Sequence, residues 1–374
     1  MTNPSLIAYV ACMYSREILV FHLNAEKGDT KQIQGMPVNG AVLPLALSPD
    51  QRHLYAALRS EPYCVVSLAI DASTGKLTHL ADTPVPESMP YVSVDRSGRY
   101  LLGVTSPWHG LKPRNSLISV SPITPDGVVQ APQQVLPTRQ KAHAVMATPS
   151  NRHVYATSCD EDVIVCRRFD AATGMLASDA MTFGVDAGAG PRHLVFHPNN
   201  RFLYLLNEYD ATIYAFAHDE RTGNLDKLQI SRVRAPEPSA RSLRASDIHV
   251  TPNGQFLYAS ERYSNTLAAF KVDAVTGMLT SIGTYPTEQE PRGFNIDPLG
   301  RYLLVVGRLS DSMTVYAIDG TSGALTEVGK HPVGLEPPKQ GYIEFSPMRP
   351  EERGLRGPNW VELRATRLEG LVNI

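Results

Sequence analysis

One unit is written seven times along this chain at intervals close to fifty residues, and a repeat of that length constrains the architecture before any single residue is weighed. Each copy is a short β-rich run, a Pro or Gly turn, and a second β-rich run. Six copies read LALSPDQRHLYAAL from Leu45, VSVDRSGRYLLGV from Val92, VMATPSNRHVYAT from Val145, LVFHPNNRFLYLL from Leu194, IHVTPNGQFLYAS from Ile248 and FNIDPLGRYLLVV from Phe294. The turn position is held by Pro49, Arg96, Pro149, Pro198, Pro252 and Pro298, at spacings of 47, 53, 49, 54 and 46. A further step of 49 reaches Pro347, inside YIEFSPMRP. Several strands per unit at this period specify an all-β, seven-bladed β-propeller.

A second signature follows the third strand of most units. It is Asp-x-x-[Thr/Ser]-Gly-x-Leu, at Asp71–Leu77, Asp170–Leu176, Asp219–Leu225, Asp273–Leu279 and Asp319–Leu325. The Asp side chain caps its own turn and the Gly supplies positive φ. A blade is therefore four antiparallel strands, running from an inner strand to an outer one. The N-terminal run AYVACMYSREILVFHLN looks like a second and third strand with no inner strand before it. GYIEFSPMRP looks like an inner strand with no blade after it, so Tyr342–Ser346 is expected to pair beside Ile7–Met13 and close the last blade. That gives one domain over 1–348 and a C-terminal tail over 349–374. SPWHGLKPRNS (Ser106–Ser116) lengthens one loop in the second blade.

Composition limits the partners. A length of 374 residues ordinarily suggests two or three domains, but one ring uses the chain. A formal net charge of −2, with no basic run, gives no general pull toward nucleic acid or a membrane surface. The start, MTNPSLIAYVACMYS, lacks the basic segment and apolar stretch of a signal peptide, and no stretch approaches ~20 apolar residues. Cys12, Cys64, Cys159 and Cys166 sit in strand-like runs without C-x-x-C spacing and are expected to be reduced. The expectation is a cytoplasmic protein without cofactor or metal, a monomer or weak homo-oligomer, acting on a small anionic molecule.

Function on such a scaffold must be argued from its sites. Equivalent positions of all blades converge on the axis, so the repeat itself finds the mouth. Six residues before each turn position stand Leu43, Pro90, His143, Arg192, Ser246, Arg292 and Gly341. Ten after stand Arg59, Ser106, Cys159, Glu208, Arg262 and Arg308. Inner-strand entrance and second-strand exit lie at the same end of a hairpin. His143, Arg192, Glu208, Arg262 and Arg292 are thus expected at one mouth. Several Arg with a His and a Glu suit an anionic substrate and acid–base chemistry. Arg192 and Glu208 can equally form an ion pair, and Arg59 and Arg308 read as rim charges. Asp247 and His249 flank Ile248 on one face, as a buried hydrogen-bonded pair or as further substrate contacts. His193 and His197 lack metal-ligand spacing and read as structural. The recurring Arg52, Arg99, Arg152, Arg201 and Arg301 point to stitching between blades.

The segments GAGPRHLVFHPNNRFLYLLNE, SDIHVTPNGQFLYASER and EPRGFNIDPLGRYLLVVG resemble the lactonase family of seven-bladed propellers over about residues 6 to 347. The family spans bacterial propeller-type 6-phosphogluconolactonases and fungal 3-carboxy-cis,cis-muconate cyclases. The resemblance implies interconversion of a lactone and a carboxylate, foremost hydrolysis of 6-phosphogluconolactone in the pentose phosphate pathway. In the cyclase branch it implies a His, a Glu and arginines, matched here by His143, Glu208, Arg192 and Arg292, or else Arg262. GLEPPKQGYIEF and the insertion around Trp108 and His109 depart from the pattern.

On this reading His143 is the general base, with Glu208 orienting it or acting as base itself, and Arg192 and Arg292 bind the anion and the oxyanion. Three alternatives stay open. One is a cycloisomerase or lactonase on a carboxylated muconate-type substrate. Another is a non-enzymatic interaction platform, against which stand the charged mouth and only two Trp, Trp108 and Trp360. The last is a calcium-dependent gluconolactonase-like site built from Asn207, Glu208 and Asp247.

Overall fold

Each Pro or Gly turn joins two strands that alternate in side-chain direction, and in the computed structural model those hairpins stack into seven small antiparallel sheets. The structure describes residues 6–24, 26–106, 116–234, 243–333 and 357–366. Blades 1 to 6 have inner strands Val42–Leu47, Tyr91–Val94, Ala142–Ala147, Pro191–Phe196, Ala245–Val250 and Pro291–Ile296, and blade 7 has Pro358–Ala365. Neighbouring inner strands touch in that cyclic order and back to blade 1, so the sheets form a closed ring. No helix of the described residues is long and apolar enough to cross a membrane.

The Asp–Gly turns form as the sequence requires. Asp71 Oδ1 accepts the backbone N–H of Ser73 at 3.0 Å and of Thr74 at 2.7 Å. Gly223 has φ +74°, and a Cβ there would press into the His153 ring of the previous blade, so the turn also sets the spacing between blades. A tyrosine of each preceding second strand uses the same turn. Tyr9, Tyr155, Tyr204 and Tyr258 donate their hydroxyls to the carbonyls of Gly75, Gly223, Gly277 and Gly323. Two of the turn arginines add to this stitching: Arg99 reaches the Ala171 carbonyl and Arg201 that of Val275.

The ring closes by a strand other than the one expected. Pro358–Ala365 pairs antiparallel with Leu6–Cys12, from Leu6 opposite Ala365 to Cys12 opposite Pro358. The proposed closing strand Tyr342–Ser346 lies outside the described residues, and the expected boundary at residue 348 fails, because part of the assigned tail is an inner strand. The physical reason is burial. Val361 and Leu363 enter one apolar cluster with Leu6, Ala8, Val10 and Leu304. Burying each such side chain is worth roughly 1.5–3 kcal/mol. The insertion residues Trp108 and His109 also lie outside the described residues.

Blade 3 departs from four strands, since its outer strand is split into Met175–Leu176 and Met181–Gly184. Arg167 occupies the gap, donating to the carbonyls of Ala177 at 2.9 Å and Ser178 at 2.5 Å. The backbone groups that lost their ladder are met by a guanidinium. Cys12, Cys64, Cys159 and Cys166 are buried.

Candidate active site

A backbone irregularity recurs where the mouth begins. In six blades the register between the inner strand and its partner slips at the strand's entrance. The residues passed over include Leu43, His143, Arg192, Ser246, Arg292 and, in the closing strand, Asn359. A β-bulge bends its strand and re-aims the extra side chain. The count of six residues back from the turn therefore selects the bulge. Among the described residues the seventh such position is Asn359; Gly341 lies outside them. Pro358-Asn359 stands where Pro191-Arg192 and Pro291-Arg292 stand in their blades.

The mouth holds a network of arginines around two carboxylates. Arg192 donates its Nε–H to the Ser246 carbonyl at 2.8 Å and pairs with Glu208. Arg262 reaches the other Glu208 oxygen at 2.8 Å, with Arg244 at 3.4 Å. Burial alone would raise the Glu208 carboxyl, but Arg192 and Arg262 outweigh it and hold the group well below the usual range. Glu208 is thus a charged counter-ion whose partners are arginines. It makes no hydrogen bond to His143, against the expectation that it orients that ring. Arg308 pairs with Glu290 at 2.6 Å and donates to the Tyr14 hydroxyl at 2.7 Å. Arg262 lies 3.8 Å from the same carboxylate. Arg59 donates to Ser88 Oγ at 2.8 Å, and burial, then the charge of Arg192, pushes its pKa down to about 9.

Arg292 differs from these. Its side chain makes no ion pair with any described residue. Burial, followed by the charges of Arg192, Arg262, Arg59 and Arg308, pushes its pKa well down from the ordinary value. A guanidinium stays protonated in proteins. The strain therefore appears as an unmet demand for an anion. His143 is beside it. Burial and then the charges of Arg192, His193, Arg292 and Arg59 push the imidazole well below its ordinary pKa, so it is neutral near pH 7.

One residue further along their inner strands, His193, Tyr91 and Trp360 meet. Their ring centroids are 5.2 Å (Tyr91–His193), 5.4 Å (Tyr91–Trp360) and 5.8 Å (His193–Trp360) apart. They come from blades 4, 2 and 7, which are not neighbours, so the contacts span the axis and give the mouth a floor. His143 packs on it, 5.1 Å from the His193 ring.

Asp247 and His249 belong below that floor. Asp247 Oδ1 is 2.8 Å from His193 Nδ1 and Oδ2 is 3.4 Å from His249 Nε2. The backbone N–H of Phe294 also reaches Oδ2, at 3.2 Å. With both oxygens engaged, Asp247 fits the buried-pair expectation and not that of a substrate contact. Burial opposes its charge, but His249 and His193 hold the carboxyl low, while Asp247 raises His249 against burial. The calcium alternative loses its donors in the same way. Glu208 serves arginines and Asp247 serves histidines, which leaves of the three only Asn207, whose Nδ2–H goes to Thr212 Oγ1 at 2.9 Å while its Oδ1 has no partner among the described residues, and one neutral oxygen does not hold calcium. The floor was not legible beforehand, nor were Glu290 and Arg244. Glu290 carried one signal, standing directly before Pro291-Arg292.

The profile of the lactonase family of seven-bladed β-propellers matches residues 7–339. A curated 6-phosphogluconolactonase of Pectobacterium carotovorum is 39% identical over 293 residues, covering 78% of this chain and 84% of its own. One from Serratia proteamaculans is 36% identical over 291 residues, covering 78% and 85%. A solved Bacteroides fragilis structure superposes with a TM-score of 0.81 at 25% identity, over 97% of this chain and 99% of its own. The periplasmic gluconolactonase of Pseudomonas aeruginosa shares the fold, with a TM-score of 0.79 at 24% identity over 97% and 98%.

Proposed function

The chain belongs to the lactonase family of seven-bladed β-propellers, and from that premise we propose that it hydrolyses a sugar lactone, 6-phosphogluconolactone, to 6-phosphogluconate in the pentose phosphate pathway. The observation that carries the reading is Arg292, a part-buried guanidinium without a carboxylate partner among the described residues, set beside a neutral His143.

In this mechanism the substrate anion pairs with Arg292, which gains the counter-ion the fold withholds. The lactone carbonyl faces Arg192, already oriented by Glu208 and the Ser246 carbonyl. His143 takes a proton from water as the oxygen attacks the carbonyl carbon. Arg192 stabilises the oxyanion as it forms. The intermediate then collapses, the ring C–O bond breaks, and the ring oxygen leaves as a hydroxyl with the proton held by His143. A positioned base typically contributes ~10²–10⁴-fold, ample for a lactone that also opens in water. Four buried cysteine side chains suit a reducing, cytoplasmic setting.

The test is acid release above the spontaneous rate from 6-phosphogluconolactone, unphosphorylated gluconolactone and a carboxymuconolactone. Preference for the phosphorylated lactone is expected. Turnover of the carboxylated lactone alone would move the same arginines to a carboxylate substrate. Silence on all three would overturn the reading.

A further inference from the structure

Two buried ring nitrogens beside the mouth have no partner among the described residues: Nδ1 of His143 and Nε2 of His193. The two rings pack together at 5.1 Å, tilted by 55°. Their needs are complementary. His193 Nδ1 stands 2.8 Å from an Asp247 carboxylate that also receives the backbone N–H groups of Ile248 and Phe294 and the side chain of His249. A carboxylate in that position accepts, so Nδ1 of His193 donates and its Nε2 keeps a lone pair. That lone pair calls for a donor. The Nδ1 edge of His143 does not hydrogen-bond it as the rings stand, 5.1 Å apart and tilted by 55°, but a turn of the ring would bring it there and leave Nε2 of His143 as its lone-pair nitrogen. An unsatisfied buried polar atom costs about 1–3 kcal/mol, so two orphans that can satisfy each other are the cheaper state.

We propose that Asp247 and His193 are positioning residues, a column beneath the mouth that holds the His143 proton on Nδ1 and presents the Nε2 lone pair to substrate water. The column rests on the reading of His143 as the base. It acts through hydrogen bonds alone, and no proton leaves Asp247. The charged and titratable groups facing His143 are Arg192, Arg292, Arg59 and His193. Those facing His193 are Asp247, Arg192 and Arg292, with the Tyr91 and Trp360 rings closing its other sides. None of the arginines can accept a proton from His143, which leaves His193 as the acceptor.

The experiment reads the His143 tautomer by ¹⁵N NMR in the intact, substrate-free protein, alongside kinetics. The wild-type ring is expected as the Nδ1–H form. His193→Phe keeps an aromatic floor but removes the acceptor. It is expected to lose that tautomer and about 10–100-fold in kcat, with KM within about threefold. His193→Gln, which can accept through its side-chain carbonyl, should regain part of both. Asp247→Asn removes a negative charge that favours the His143 cation, so the acid limb of kcat should move to lower pH. Melting curves establish that each variant is folded. A wild-type His143 protonated on Nε2, or a tautomer unmoved in both His193→Phe and Asp247→Asn, would overturn the column. Since the tautomer needs no substrate, inactivity of the wild type on lactones would sink the functional reading and leave this test standing.

Discussion

Two arcs of one mouth occupy equivalent backbone positions and carry opposite chemistry. Blades 3 to 6 set His143, Arg192 and Arg292 at three of their bulges and Glu208, Arg262 and Arg308 at strand exits. Blades 7, 1 and 2 set Asn359, Leu43 and Pro90 at the matching entrances. Leu43 there packs with Met13 and Ala41 in a small apolar cluster flanked by Tyr14. Arg59 is the exception in this arc. The repeat supplies seven similar placements, and the side chains divide them into a charged side and a largely uncharged side.

Both arcs depend on the closed ring, and breaking it has the largest expected effect. Deleting residues 357–374 removes the strand paired with Leu6–Cys12. It should abolish cooperative unfolding in a circular-dichroism melt. A truncated chain melting with the full-length one would show that the ring is closed otherwise. Within the charged arc, Glu208→Gln leaves Arg192, Arg244 and Arg262 without their shared carboxylate. Loss of one partner of a buried charge network costs about 3–5 kcal/mol, read by denaturant unfolding. The comparison itself is tested by matched substitutions. His143→Ala, Arg192→Ala and Arg292→Ala should each lose at least ~10-fold in kcat/KM, while Leu43→Ala should stay within ~3-fold. Equal losses on both arcs would erase the division.

The smallest expected effect is a pH dependence of opposite sign above and below the floor. His143 and His193 have folded pKa values below the ordinary histidine value, His193 at about 4 through burial. Their stability contribution is present above about pH 6.5 and is lost as pH falls, because the unfolded chain takes up the protons. Glu362 in the closing strand is pushed up by burial to about 7. Its contribution is present below the usual carboxylate range and lost as pH rises through 7. Glu362→Gln should therefore gain on the wild type by about 1–2 kcal/mol between pH 5 and 8. A constant difference in melting temperature across that range would contradict the raised carboxyl.

Blade count, turn chemistry and most mouth positions were legible because they are local. A Pro or Gly turn, an Asp–Gly turn and a fixed offset to the bulge are all properties of a single hairpin. The seventh entrance escaped because Pro358–Ala365 is the last described strand and no hairpin turn follows it within the described residues to count from. Its own signal was the Pro-Asn pair that parallels Pro191-Arg192. The floor escaped for a different reason. Tyr91, His193 and Trp360 are far apart in sequence and lie on blades that are not neighbours in the ring. Only the curvature of the ring brings them together. His193 was read as structural from its spacing, and what spacing could not convey was its packing against His143 and its orphaned nitrogen.

Closure by Pro358–Ala365 also orders events in the life of the chain. Synthesis runs at about 5–20 residues per second, so Leu6–Cys12 emerges roughly 20–70 s before the strand that completes it. During that interval its hydrogen-bonding edge is unsatisfied and its apolar face is uncovered. The mouth is incomplete for as long, since Trp360 and Asn359 arrive with the same strand. A nascent chain of this protein therefore keeps an open, sticky edge until Pro358–Ala365 has been made, which makes termination before that strand a source of aggregation.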